Sequence, residues 1–428
     1  MSAPNCLRLV PDQIAGAEFI AARRVSMLAD IMGLGKTAQV VHAADNMGAL
    51  RITIICPKNL RVVWEREFNQ WSYFGRRVQI VKTSADKLIG DGVVILAYGI
   101  AKNIKMAARL KKRGGDLLAL DEAHRVKEPS TLQTKAILSK TGICHAFERC
   151  VFLTGTPMPN NAGELFTFCK TAGVWPGSRT AFVDAFCKTV ETPFGSKIVG
   201  NANPEKLREI MAPVYLRRTH IEGLPALRED VWPVDGDLLA FERETDEATK
   251  QALKVAAETG DWQFMDTPYI ATIRRQAGLA KASAAASVVT QELEAGEPAI
   301  VVFAIHRAVI EIIRSAVDAA GHSVAVINGE TKDRDKQPAI DAFQAGTLRV
   351  LIIQLQSGGE GLTLTKASRV IVAEPAWTPK DNEQAIARCW RRGQTVDVRA
   401  SLISLNQSID DVVLQTLARK KRLIAEIV

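Results

Sequence analysis

Short unbroken apolar runs alternate with stretches of helical spacing along the chain, and the rhythm occurs twice. In the first half the runs are residues 25–29, 52–56, 93–97, 117–120 and 151–153; in the second they are 299–304, 324–327, 348–353, 369–372 and 400–403. Runs that do not alternate apolar with polar positions are buried on both faces, which predicts parallel strands covered by helices. The repeated grammar predicts an α/β chain of two domains, 1–228 and 229–428, divided in the Pro-containing stretch 224–233. A polar segment, 242–251, leads into helices before the strand at 299. Ile409, Val413 and Leu417 are spaced for a helix over 408–427 that braces a domain.

Composition narrows the class. The chain has 428 residues, of which 47% are apolar and 24% charged. That is a globular balance at a length that suits two domains of roughly 200 residues. A net charge of +8 permits a polyanionic partner without requiring one. Seven cysteines, at 6, 56, 144, 150, 169, 187 and 389, show no paired close spacing and read as reduced packing thiols in a cytosolic-type compartment. Cys144, His145 and Cys150 cluster, but no second ligand pair follows, which disfavours zinc. No run approaches the roughly 20 apolar residues of a membrane span, and no signal-peptide core opens the chain.

The chemistry sits at strand ends. Gly33-Leu34-Gly35-Lys36-Thr37 follows the first apolar run and precedes a helix at 38–44. Glycines there let backbone N–H groups close around phosphates, Lys36 neutralises charge, and Thr37 can ligate magnesium. The generic pattern wants glycine at position 30, where this chain has Asp30. Asp121 and Glu122 end the run 117–120; one carboxylate can hold a metal while the other polarises an attacking water. His124 beside them is placed to relay nucleotide state. Thr154 and Thr156 form a hydroxyl-rich turn after 151–153 and can bond the 121–124 loop. Gln384, Arg388 and Arg391 share the segment 384–394, and a helix would put the two arginines on one face. Two guanidiniums can stabilise a transferring phosphoryl group.

These motifs, in this order, resemble a SWI/SNF-type ATPase of helicase-like superfamily 2 over essentially the full length. Residues 9–13 are similar to that family's adenine-reading segment, which implies Gln13 on the base. Residues 29–37 resemble motif I, in which Asp30 is usual, and 56–60 with 64–68 resemble motif Ia. Residues 121–127 and 153–161 resemble motifs II and III, and 215–219 with 224–225 resemble the exit from the first lobe. Residues 328–331, 357–362 and 384–394 fill the second-lobe positions. The resemblance implies two RecA-like lobes with an interlobe ATP cleft, ATP and Mg2+ as cofactors, Thr37 and Asp121 on the metal, and Gly33, Leu34, Gly35, Lys36, Thr37 and Gly361 around the nucleotide. It implies coupling roles for His124, Thr154, Thr156, Gln384 and Gln394. Ile31, Glu360 and Arg392 depart from the pattern away from the phosphate chemistry. Residues 273–281 and 301–304 look closest to the annealing-helicase, fork-remodelling subgroup, in a bare form like small bacterial or phage-borne members. The implied location is the cytoplasm, or the nucleus of a eukaryote.

The family pattern also implies double-stranded DNA as partner, touched without base reading by Lys58, Tyr98, Lys127, Asn328, Gly329, Gln356 and Ser357. The basic stretch Lys102, Lys105, Arg109, Lys111, Lys112 and Arg113 can assist or be a solvated face; Trp377 packs in a core or braces a strand. The expected activity is DNA-stimulated ATP hydrolysis coupled to movement along duplex DNA. No inserted strand-separating hairpin is apparent, which disfavours unwinding. The alternatives are a fork-remodelling or unwinding helicase on DNA or RNA, a nucleotide-gated DNA clamp, or the motor of a larger complex.

Overall fold

The computed structural model describes residues 9–158, 160–192, 195–220, 223–237, 268–355, 362–406 and 408–427. The chain packs as two units, one holding residues up to 221 together with 422–428, the other residues 222–421.

The first unit is built on a seven-stranded parallel sheet. Its strands are β1 (Val25–Leu28), β2 (Arg51–Cys56), β3 (Val78–Ile80), β4 (Gly92–Ala97), β5 (Gly115–Asp121), β6 (Phe147–Leu153) and β9 (Tyr215–Leu216), in the order β3-β4-β2-β5-β6-β1-β9. Successive residues serve opposite faces. Leu117 and Ala119 join one core with Val40, Val41, Trp64 and Phe68; Leu118 and Leu120 join the other with Phe152, Phe168, Phe182 and Phe186. Both faces are therefore covered, the physical reason the strands read as continuous apolar runs.

An antiparallel hairpin, β7 (Cys187–Thr192) with β8 (Gly195–Asn201), projects from this unit as its own two-stranded sheet. The sequence reading missed it, because polar and apolar residues mix there and Val190 and Val199 remain exposed.

The second unit carries a six-stranded parallel sheet, β10 (Leu227–Val234), β11 (Ile300–Ala304), β12 (Val324–Ile327), β13 (Val350–Gln354), β14 (Arg369–Val372) and β15 (Val398–Leu405), ordered β10-β15-β14-β11-β13-β12. Val301 and Phe303 face one core; Ile300, Val302 and Ala304 face the other. The stretch 224–233, expected to divide the domains, instead contains β10, an edge strand paired to β15 through all eight of its residues. An edge strand tolerates Pro233, and β10 is exposed along most of its length with the charged run Arg228-Glu229-Asp230 inside it, which is why it does not read as a strand. The polar segment 242–251 lies outside the described residues. The closing helix runs Ile409–Ile427, as its spacing predicts.

Under the second sheet a buried ion pair fastens two helices. Lys281, on the helix Pro268–Glu294, is 1% exposed; its Nζ donates to Asp410 Oδ2 at 2.7 Å and to the Ile403 carbonyl at 2.9 Å. Asp410 Oδ2 also accepts from Leu405 N at 2.9 Å. Removing the carboxylate strands a buried ammonium, so Asp410→Ala is expected to cost about 3–5 kcal/mol in chemical unfolding, whereas Lys281→Met with Asp410→Leu stays nearer wild type. Equal losses in both variants would show that packing, not charge, dominates there.

Candidate functional site

From β1 the chain turns through residues 29–35 into the helix Lys36–Asn46. Gly33 (φ 89°) and Gly35 (φ 76°) hold left-handed conformations that fold the turn back on itself. A Cβ at Gly35 would lie 2.3 Å from Gln13 Nε2. The helix's first internal bond runs from Gln39 N to Gly35 O, at 3.2 Å. The amides of Lys36, Thr37 and Ala38 thus have no helical carbonyl and present a positive end. Such a cradle fits a polyphosphate. Lys36 Nζ donates to the carbonyls of Asp30 (2.7 Å) and Ile31 (3.1 Å). Burial lowers the pKa of this ammonium, Asp30, Glu122 and Asp121 act to raise it, and the nearby Arg217 charge adds to the lowering.

The turn is anchored from beneath. Asp30 has no exposure; its Oδ1 accepts from the backbone N and Nε of Arg218, each at 3.0 Å. Arg218 Nη2 grips Oδ2, and Gln39 Nε2 donates to the same oxygen at 3.3 Å. Arg218 also donates to Gln39 Oε1 at 2.8 Å and to the Asp12 carbonyl. A side chain at Gly16 would displace the Gln39 amide, since its Cβ would fall 1.7 Å from Gln39 Oε1. Gln13, implied to sit on the base, is buried with its amide turned to the backbone: Nε2 donates to the Leu34 carbonyl and Oε1 accepts from Val10 N, both at 3.2 Å. In this structure it fastens the loop.

Asp121 and Glu122 close β5. Asp121 Oδ2 accepts from Trp64 Nε1 at 2.8 Å, and Oδ1 from Glu122 N at 2.9 Å. Burial first and then Glu122 push the Asp121 carboxyl up to about 7. Glu122 adopts a left-handed backbone, φ 51° and ψ 51°, an uncommon state for a non-glycine residue that costs of order 1 kcal/mol. That turn sets Glu122 Oε2 3.2 Å from His124 Nδ1, so the acid and the expected relay residue do meet. Tyr98, implied to touch DNA, is 4% exposed and donates its hydroxyl to the Asp121 carbonyl at 2.7 Å. In this structure it braces the acidic strand end.

The turn after β6 is also self-contained. Thr154 Oγ1 accepts from Thr156 N at 3.1 Å rather than bonding the 121–124 loop. The buried Thr156 hydroxyl has no hydrogen-bond partner. Gly155 lies against the phosphate turn: its Cβ would meet Met32 at 2.9 Å and Lys36 Nζ at 3.8 Å. From its other side, Arg217 Nη1 approaches the Gly155 carbonyl at 3.4 Å.

In the second unit the helix Pro379–Ile386 ends before the two expected arginines. It carries Gln384, whereas Arg388 and Arg391 occupy tight turns that follow, with Arg388 N bonded to Ala385 O (3.1 Å) and Cys389 N to Ile386 O (3.0 Å). Trp390 Nε1 donates to Pro225 O at 2.8 Å and Gly393 turns at φ 97°, which unwinds the helix early. The single helical face expected for the arginines is replaced by this turn, in which Arg391 Nη1 donates to Leu362 O at 2.9 Å. Gln394 is buried, bonded to the Ala367 carbonyl (2.8 Å) and to the amides of Thr395 and Val396. Its amide holds local backbone in this structure.

Of the implied DNA contacts, Lys58 is exposed at a turn after β2, and Lys127 pairs with Glu164. Asn328 Oδ1 caps its own turn at Glu330 N (2.9 Å), and exposed Gly329 donates to Gln354 Oε1 (3.2 Å). Gln356, Ser357 and Gly361 lie outside the described residues. In the basic stretch, Arg109 donates to the carbonyls of Ser84 and Asp86, and Arg113 to those of Ile89, Gly90 and Gly92. Lys102, Lys105, Lys111 and Lys112 remain exposed. Trp377 packs against the core with Arg274 5.0 Å over its ring. The six described cysteines are buried, no metal-ligating cluster occurs among the described residues, and none of their helices is long and apolar enough to cross a membrane.

The residue roles that sequence reasoning missed are Trp64, Arg217, Arg218 and Gln39. Only a tandem arginine beside a strand end pointed to the middle two.

A family model described as "SNF2-related domain" matches residues 12–231, and one described as "Helicase conserved C-terminal domain" matches 281–393. The chain is 26% identical to the DNA annealing helicase and endonuclease ZRANB3 of Bos taurus, over 97% of this chain and 40% of that protein. It is 25% identical to the SWI/SNF-related matrix-associated actin-dependent regulator of chromatin subfamily A-like protein 1 of Xenopus laevis, over 98% of this chain and 44% of that one. The chain therefore spans about two fifths of these relatives. The Sulfolobus solfataricus SWI2/SNF2 ATPase core in complex with dsDNA is similar at 22% identity and TM-score 0.47, covering all of this chain and 94% of that one.

The Asp121 carboxyl generates a pH test. Its folded pKa, about 7, lies above the ordinary aspartate value of 3.8, so the folded state holds the proton more tightly between those values. Stability from this group is then greatest below pH 3.8 and is lost as pH rises through 7. In chelator, Asp121→Asn is expected to flatten that part of the stability profile; an unchanged slope would place the titration elsewhere.

Proposed function

As the chain belongs to the SNF2-related domain family, we propose that it is a DNA-stimulated ATPase that translocates along, or remodels, double-stranded DNA. The carrying observation is the Lys36 turn: two left-handed glycines, a free helix start and a lysine within electrostatic reach of Asp121 and Glu122. Those residues fit a magnesium–nucleoside triphosphate. Bound magnesium, held by Thr37 and Asp121, would supply charge neutralisation on the phosphate oxygens. The turn's amides and Lys36 bind and orient the triphosphate, Trp64 fixes the Asp121 carboxylate, and Glu122, steadied beside His124, takes the proton of the attacking water. Arg388 and Arg391 of the second unit supply cationic charge to the transferring group during the cycle. Backbone-directed contacts from exposed residues such as Lys58 and Gly329 make DNA binding sequence-independent and salt-sensitive.

A second reading, remodelling of forked or branched DNA, has two supports. One is the β7–β8 hairpin; the other is the likeness to relatives named as annealing helicases.

The deciding experiment measures ATP turnover with duplex, single-stranded and forked DNA and with RNA. Strong duplex stimulation is expected; stimulation by forks alone favours the second reading, and none by any nucleic acid defeats both. Glu122→Gln should lower kcat by about 10²–10⁴-fold while leaving nucleotide affinity within about twofold. Lys36→Ala should abolish both binding and turnover, and a Lys36→Ala protein hydrolysing at the wild-type rate would refute the mechanism.

A further inference from the structure

Two adjacent arginines follow β9, and their surroundings differ sharply. Arg218 is saturated by Asp30, Gln39 and the Asp12 carbonyl. Arg217 has no carboxylate partner among the described residues, and its buried Nε meets no acceptor at hydrogen-bonding geometry, although the Tyr215 phenol lies beside it. Among the described residues, the hydrogen bond with full geometry that Arg217 makes is the long 3.4 Å approach of Nη1 to the Gly155 carbonyl. Residues 215 and 217 share one side of the extended chain and 216 and 218 the other, so the pair divides into an anchored cation and an unsatisfied one.

The unsatisfied cation lies beside Lys36. Gly155 stands between them, its Cβ position 3.8 Å from Lys36 Nζ and its carbonyl facing Arg217. The Arg217 charge is felt at Lys36, where it acts against the ammonium. Two like charges in one half-buried corner repel unless an anion joins them, and a planar guanidinium is shaped to bridge phosphate oxygens.

We propose that Arg217 is a second phosphate-binding cation of the first unit, contacting the terminal phosphate of the bound nucleoside triphosphate alongside Lys36. The assignment rests on the nucleotide-binding reading above and adds a residue to it. Because Arg217 immediately follows β9, the last strand before the chain leaves this unit, loss of the terminal phosphate would release its side chain at that exit.

The test is equilibrium binding of a fluorescent, non-hydrolysable ATP analogue and of ADP, each with magnesium and without DNA, to the full chain. Arg217→Gln is expected to weaken the analogue about tenfold or more and to leave ADP within about twofold. Arg217→Lys, which keeps charge but lacks the planar fork, should lose severalfold for the analogue alone. Equal weakening of both ligands, or of neither, overturns the assignment and leaves Arg217 as a support for Gly155. If Arg217→Gln does not fold, Arg217→Lys decides, and unchanged analogue affinity there also overturns it. Should the wild-type chain bind neither nucleotide, the underlying nucleotide-binding reading fails instead, whatever the variants do.

Discussion

The ion pair between the fully buried Asp30 carboxylate and the largely buried Arg218 guanidinium sets the shape of the phosphate turn. Asp30 lies just past β1, Arg218 follows β9, Gln39 stands on the helix that leaves the turn, and the Asp12 carbonyl lies in the first turn of the first helix. Four chain segments thus converge on one carboxylate, each bond being made in a water-poor setting where a missing partner costs several kcal/mol. The same cluster crowds position 16 and draws the Gln13 amide onto Leu34. A loop whose backbone must present amides outward is held rigid by charges arranged behind it.

The acidic end of β5 shows the opposite strategy. Trp64, Tyr98 and the backbone of Glu122 organise the Asp121 carboxylate, whose charged form burial and the neighbouring Glu122 disfavour. Glu122 is additionally held in a left-handed turn that the surrounding packing must sustain. Here the fold stores unfavourable charge and conformation, relieved by a cation, beside a cradle shaped for an anion.

Much of the architecture was legible because the sheets are covered on both faces. Strands such as 52–56 and 324–327 stand out as apolar runs for the same reason that neighbouring positions, Leu117 against Leu118, enter different cores. What escaped notice was governed by partial exposure or tertiary bonds. β10 carries Pro233 and a charged run, the β7–β8 hairpin exposes its valines, and the turn at Arg388 depends on the Trp390 bond to Pro225. Residue type located the phosphate turn and the acid pair. It did not reveal which polar groups were already engaged: Tyr98, Gln394, Arg109 and Arg113 turn inward to backbone carbonyls or amides. A count of cations along 102–113 therefore overstates the charge presented to solvent.

β10 also bears on how the molecule tolerates crowding. A parallel sheet left open at its margin offers unpaired backbone groups to any extended peptide nearby. Arg228, Glu229 and Asp230 crowd that margin with charge, and Pro233 withholds an amide hydrogen there. Such a border is a poor template for fibril-like growth, so concentrated copies of the chain are kept from pairing edge to edge.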